Sequence, residues 1–145
     1  MRKFVGVLLL LLCAVAVGQD APQQPVPYSH KIHAGDLQLK CSMCHSNPDP
    51  GETMTLPKHQ VCGTCHAGKY DRQIKWVRVY EVPSFVNFSH RKHIDAKNTC
   101  EECHGPVATR AEIARETDLT MGGCMNCHRE KKASIDCTFC HDQRN

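Results

Sequence analysis

The chain has 145 residues, 41% of them hydrophobic, with one Trp, three Tyr and four Phe. Past residue 18 it has no apolar run at a sustained helical or strand period, which excludes a conventional side-chain core. Its formal net charge is +3, and beyond residue 18 only Arg91-Lys92 and Lys131-Lys132 are adjacent basic pairs, so the cations read as solvated surface and no nucleic-acid partner is implied.

Met1-Arg2-Lys3, the apolar stretch from Phe4 to Val17 and the small residues at Ala16 and Gly18 predict a signal peptide over 1–18, with a mature chain from Gln19. The apolar stretch is shorter than the roughly 20 residues that span a bilayer, so the mature protein is expected to be soluble or peripheral to a membrane, in the periplasm or another extracytoplasmic space. A retained anchor is the alternative. Lipid attachment at Cys13 is a further one, against which Leu10-Leu11-Leu12 lacks the small residues such a site needs.

Residues 19–27 are rich in Gln and Pro and predict a flexible arm. Tyr28-Ser29-His30-Lys31-Ile32-His33 follows, then Cys41-Ser-Met-Cys44-His45 and a turn-rich loop from Asn47 to Gly51. His59 stands three residues before Cys62-Gly-Thr-Cys65-His66. Gln73 to Val82, with Ile74, Trp76 and Tyr80 alternating among charged residues, predicts a short strand. The pattern then repeats: Phe88-Ser89-His90-Arg91-Lys92-His93, Cys100-Glu-Glu-Cys103-His104, a helix-compatible stretch from Thr109 to Thr117, and Cys124-Met-Asn-Cys127-His128 with Met121 three residues ahead. Cys137-Thr-Phe-Cys140-His141 closes the chain.

An exported chain with eleven Cys first suggests a disulfide framework, but ten of them form five identical Cys-x-x-Cys pairs, each followed at once by His, and the eleventh is Cys13. Two thiols at this spacing add to the two vinyl groups of one haem, and the next residue becomes the axial imidazole. Zinc or redox use of Cys-x-x-Cys does not require that His. The motifs therefore imply five covalent haems c on Cys41, Cys44, Cys62, Cys65, Cys100, Cys103, Cys124, Cys127, Cys137 and Cys140, with His45, His66, His104, His128 and His141 as proximal iron ligands. The ten thiols are then unavailable for disulfides. Without Arg2 and Lys3 the net charge drops to +1, and the haem propionates would carry the holoprotein to roughly −5 or beyond.

Five other histidines, His30, His33, His59, His90 and His93, match the number of haems. Singly, each reads as a surface or satisfied imidazole; as a set they suit distal iron ligands. Irons filled on both sides exchange electrons without binding substrate.

Aromatic-Ser-His-x-x-His running into Cys-x-x-Cys-His resembles class III cytochromes c, including the three-haem c7 type, and Phe88 to His141 has the layout of one c7 unit. The longer pattern through Trp76-Val77-Arg78-Val79, Val82-Pro83-Ser84-Phe85-Val86 and Leu119-Thr120-Met121-Gly122 is similar to the pentahaem cytochrome subunits and carriers of quinol-oxidising complexes such as alternative complex III. The resemblance implies that His30 serves the haem of His45, His33 that of His66, His90 that of His104 and His93 that of His128. For the haem of His141 the expected ligand is His59, with Met121 as the alternative. His59 completes the matched count, whereas Met121 occupies the place where c7 proteins have a His, and a Met ligand would raise that haem's potential. If not a ligand, Met121 packs on a porphyrin.

The expected fold is a c3/c7-like multihaem cytochrome, mostly loops and short α-helices around five haems with minimal β. It comprises one domain over 28–145, with repeat units at about 28–66 and 88–128 and a terminal motif at 137–141. The haem-free chain is expected to be unfolded or molten. The expected function is electron transfer, without catalysis, between redox partners: a membrane quinol oxidoreductase and another cytochrome. A haem enzyme with one open iron and a subunit of an extracellular haem filament are the rival readings.

Overall fold

The computed structural model describes residues 21–46 and 54–141. The leader over 1–18 and the turn at Asn47 to Gly51 lie outside the described residues. The described residues form six short α-helices: α1 Cys41–Cys44, α2 His59–Gly63, α3 His90–Asp95, α4 Cys100–His104, α5 Met121–Glu130 and α6 Cys137–Cys140. A π-helix at Lys31–Asp36 precedes α1, and a 3-10 helix at Val107–Thr109 follows α4. Among the described residues the β structure is a single isolated antiparallel bridge between Val86 and His141.

The repeated Ser explains why each ligand helix starts where it does. Ser89 caps α3 with its Oγ, which accepts the Lys92 N–H at 3.4 Å, and Ser29 accepts the Ile32 N–H at 3.3 Å. The two helices then differ. Cys41 follows His33 by eight positions, Cys100 follows His93 by seven, and the first repeat takes up the extra residue as a π-helix in which the Leu37 N–H reaches back to the Ile32 carbonyl. In the second repeat, the Ala96 N–H closes on Lys92 as in an ordinary α-helix. Both repeats leave the helix through a left-handed residue three positions before the Cys, Gln38 (φ 54°) and Lys97 (φ 67°). The next helix therefore begins in the same way despite the different count.

The repeats meet where the π-helix packs on the 3-10 helix. The Lys31 N–H donates to the Arg110 carbonyl at 2.7 Å, and a Cβ on Gly35 would overlap the Ala108 carbonyl oxygen. Within the second repeat, Lys131 at the end of α5 meets Glu102 of α4 at 2.7 Å, and the other Glu102 oxygen accepts the Thr99 N–H that opens α4.

Two expected elements do not form. Gln73 to Val82 is extended but unpaired among the described residues, because it is held by side chains rather than by a ladder. Trp76 Nε1 donates to the Pro57 carbonyl at 2.8 Å, Tyr80 Oη donates to that of Ala114 at 3.1 Å, and the Gln24 side chain bonds both the N–H and the C=O of Val77. Gln24 thereby ties the Gln- and Pro-rich arm to this segment. From Thr109 to Thr117 helix ends at Thr109, since groups of an intrahelical ladder are taken from outside: Lys31 takes the Arg110 carbonyl, and Tyr80 takes the Ala114 carbonyl and the Glu116 N–H. Arg110 and Glu116 close the loop with a forked pair at 2.6 and 2.8 Å.

No described apolar side chain is buried by protein; Ser89, at 9% exposure, is the one buried residue. Ile32, Leu37, Met43, Phe85, Ile94, Met121 and Phe139 all stay exposed on the polypeptide. A chain that folds with so many uncovered apolar groups needs a large apolar body to cover them. Among the described residues no helix is long and apolar enough to cross a membrane.

Candidate functional site

Each Cys-x-x-Cys pair lies on one short helical turn, which brings residues three apart onto one face. The His at the end of the turn is fixed by its own backbone: the N–H of His45, His66 and His141 donates to the carbonyl of the first Cys of its motif at 2.8, 2.8 and 2.9 Å. The five motifs occupy α1, the region of α2, α4, α5 and α6. None of the ten cysteines is in a disulfide.

Four of these histidines face a second imidazole. The ring centres of His30 and His45 lie 6.3 Å apart with planes 6° from parallel, and those of His90 and His104 lie 6.3 Å apart at 7°. His33 and His66 are 6.2 Å apart at 56°, and His93 and His128 are 6.1 Å apart at 44°. Two imidazoles that each place a nitrogen about 2.0 Å from one shared ion, with the ring centre roughly 1.1 Å behind it, have centres about 6.2 Å apart. These separations are too long for direct stacking and suit one iron between each pair.

The ring orientations come from backbone carbonyls. Nδ1 of His33 and of His93 lies 2.8 Å from the carbonyl of Ser29 and Ser89, respectively, four residues back. Nδ1 of His45 lies 2.9 Å from the Thr55 carbonyl, that of His128 2.6 Å from Ser134 and that of His141 3.3 Å from Phe85. A carbonyl accepts only, so Nδ1 carries the proton and Nε2 presents its lone pair, as an iron ligand requires. Tyr28 lies over His33 (4.5 Å) and edge-on to His30 (4.9 Å); Phe88 does the same to His93 (4.8 Å) and His90 (4.7 Å). These aromatics and carbonyls were not assigned a role from sequence. The repeated aromatic-Ser pair was a usable signal; Thr55, Ser134 and Phe85 act through the main chain, which leaves no mark on residue type.

Electrostatics favours neutral rings. Burial, then His45 and His33, lowers His30 to about 4; burial, then His90 and His45, lowers His104. Burial, reinforced by Cys44, Cys62 and Cys41, pushes the Tyr28 phenol up to about 12. Neutral imidazole is the form that binds metal.

The fifth motif is different. The His141 ring lies 5.8 Å from Phe85, and no second imidazole faces it among the described residues. His59 opens α2 and Met121 opens α5, so the two sit at matching helix starts. His59 belongs to the first repeat, two residues past the Pro57 carbonyl that holds Trp76, and its Nδ1 is buried without a hydrogen-bond partner. Met121 shares α5 with Cys124, whose thiol is raised by burial and next by the proximity of Cys140. Neither residue makes a ring contact with His141.

These residues fit haem c: thiol pairs on helical turns, imidazole pairs spaced for one iron, and apolar side chains that the polypeptide leaves uncovered. Among the described residues no cluster of three or more His, Cys, Asp or Glu is placed to hold an ion. Comparison with known proteins agrees. A family model for cytochrome c7 and related cytochrome c matches residues 26–78 and 86–143, one segment for each repeat, the second including the terminal motif. The chain is also similar to the multihaem cytochrome c subunit of menaquinone reductase from Nitratidesulfovibrio vulgaris strain Hildenborough: 28% identity over 161 residues, covering 82% of this chain and 77% of that protein.

Proposed function

Since the chain belongs to the family of cytochrome c7 and related c-type cytochromes, a family of multihaem electron-transfer proteins, we propose that it carries five haems c and acts as an electron-transfer subunit or carrier without catalysis of its own. Bound haem supplies one-electron redox chemistry at each iron. The polypeptide attaches it through the five Cys-x-x-Cys pairs and sets its axial ligands. The observation that carries this reading is the set of four imidazole pairs at 6.1 to 6.3 Å, which supports His30 with His45, His33 with His66, His90 with His104 and His93 with His128. For His141 the ligand proposed is Met121. It lies on the helix whose Cys124 approaches Cys140, whereas His59 is anchored in the first repeat.

The leader-like sequence over 1–18 supports a location outside the cytoplasm for the mature chain, and similarity to a menaquinone reductase subunit supports a membrane quinol oxidoreductase as one partner. The test is expression with a haem-attachment system, followed by intact mass and electron paramagnetic resonance. The expected result is the mass of five haems, four bis-His signals and one His-Met signal. Fewer than five haems would refute the reading. The unpaired ring of His141 also favours a second reading, an open iron on a haem enzyme; carbon monoxide binding to one haem of the reduced protein would select it.

A further inference from the structure

Sequence order and spatial order of the five haem sites are not the same. In the first repeat the π-helix carries both His30 and His33, and Tyr28 touches both rings, so the sites of His45 and His66 are neighbours. The side chains of Cys44 and Cys62 are near neighbours. In the second repeat α3 and Phe88 join the sites of His104 and His128 in the same way, with Cys103 beside Cys127 and Cys124.

The repeats join through their first sites. The π-helix of the first repeat sits on the 3-10 helix that follows α4, the side chains of Cys41 and Cys100 lie beside each other, and His45 lies near His104. Among the described residues the His66 ring meets the rings of His33 and Tyr70, and none of the second repeat. The terminal site lies beside that of His128: Cys140 approaches Cys124 of the His128 motif, the Asn87 N–H donates to the Cys140 carbonyl at 2.7 Å, and Val86 bridges His141.

We propose that the attachment sites form one unbranched file in the order His66, His45, His104, His128, His141, and that an acidic redox partner docks at the His66 end. This rests on the electron-carrier reading and adds its two termini. The ends differ in charge. Residues 69 to 78 carry Lys69, Arg72, Lys75 and Arg78 against Asp71 alone, and this segment leads directly away from His66. Tyr70 is edge-on to the His66 ring at 6.2 Å, with Lys69 Nζ 5.6 Å from the Tyr70 ring centre. Lys69, Arg72 and Lys75 are exposed and, with Pro25 and Val26, line a surface hollow of about 360 Å³. At the other end, residues 133 to 140 carry Asp136 and no cation, with Ile135, Phe139 and the nearby Phe85 on the surface. Opposite charge accelerates encounter at one end of such a file and not at the other.

Two measurements on the holoprotein test this. Proton NMR of the reduced form, with each haem assigned through contacts to the cysteines of its own motif, should show through-space contacts between neighbouring haems in the four consecutive pairs of the file. A contact between the haems of His66 and His104 in place of that between His45 and His104 overturns the order. It leaves the electron-carrier reading intact, which falls instead if haems are missing from the intact mass. Separately, stopped-flow reduction by flavodoxin hydroquinone, an acidic one-electron donor, should slow about 10-fold at low ionic strength in Lys69→Glu/Lys75→Glu, and the gap should close in high salt. An unchanged rate, or an equal loss in Arg129→Glu/Lys132→Glu, overturns the docking assignment.

Discussion

The first repeat and the second reach one ligand geometry by different backbones. His30 faces His45 across the same distance, and at nearly the same angle, as His90 faces His104. Yet one ligand helix is π and the other α, and one repeat has an additional residue before its Cys. The shared features are local and strongly directional: a Ser at the helix start, its carbonyl on the second His, an aromatic against both rings and a left-handed exit. The unshared features lie where each repeat meets something else. Gly35 of the first repeat packs on Ala108 of the second, whereas Asp95, two residues past the matching His, is exposed. Ligand spacing is thus the quantity both backbones satisfy, and the helix type adapts to it.

The strongest way to break the equivalence is to remove one haem from each repeat. In the proposed five-haem file, replacing both Cys100 and Cys103 by Ser takes away a central site and should abolish most holoprotein; the same change at Cys62 and Cys65, at one end of that file, should leave a folded protein with four haems. Haem-stained gels and intact mass distinguish them. Next in size, Gly35→Ala forces apart the joint between repeats and should destabilise the holoprotein by about 1–3 kcal/mol in guanidinium unfolding, whereas Asp95→Ala stays within about 0.5 kcal/mol.

Smaller effects sharpen the comparison. Ser89→Ala should cost about 1 kcal/mol by the same unfolding measurement, and Ser29→Ala less, because Ser89 is the more buried cap. The Ser carbonyls remain in both variants, so the visible spectra should not change. The smallest effect is expected for Lys131→Ala, which loses an exposed, solvent-screened pair with Glu102: its unfolding midpoint should shift only slightly at low salt and coincide with the parent's in high salt.

Much of the site was legible because haem attachment is encoded by residue type at fixed local spacing. Cys-x-x-Cys-His needs two thiols and an imidazole within one helical turn, so short helices at the motifs followed directly; the pairing of the aromatic-Ser-His-x-x-His stretches with the motifs after them came from the resemblance to c7-type cytochromes. The strand at Gln73 to Val82 and the helix from Thr109 to Thr117 were misread for a common reason. Their periodicity suited regular structure, but Trp76, Tyr80 and Lys31 reach across the chain to backbone groups of other segments, and such long-range bonds have no local signature.

The sequence by itself determined the chemistry: five attachment motifs, the histidines set against them and a duplicated layout, all consequences of covalent spacing. Only the tertiary structure decided how those parts are arranged. Four histidine pairs face one another, the repeats join through their first motifs, and His59 and Met121 fall in different halves of the molecule. Covalent spacing acts over a few residues, so it can be read along the chain. The relative placement of the repeats depends on contacts such as Gly35 with Ala108 and Lys31 with Arg110, which join residues more than seventy positions apart.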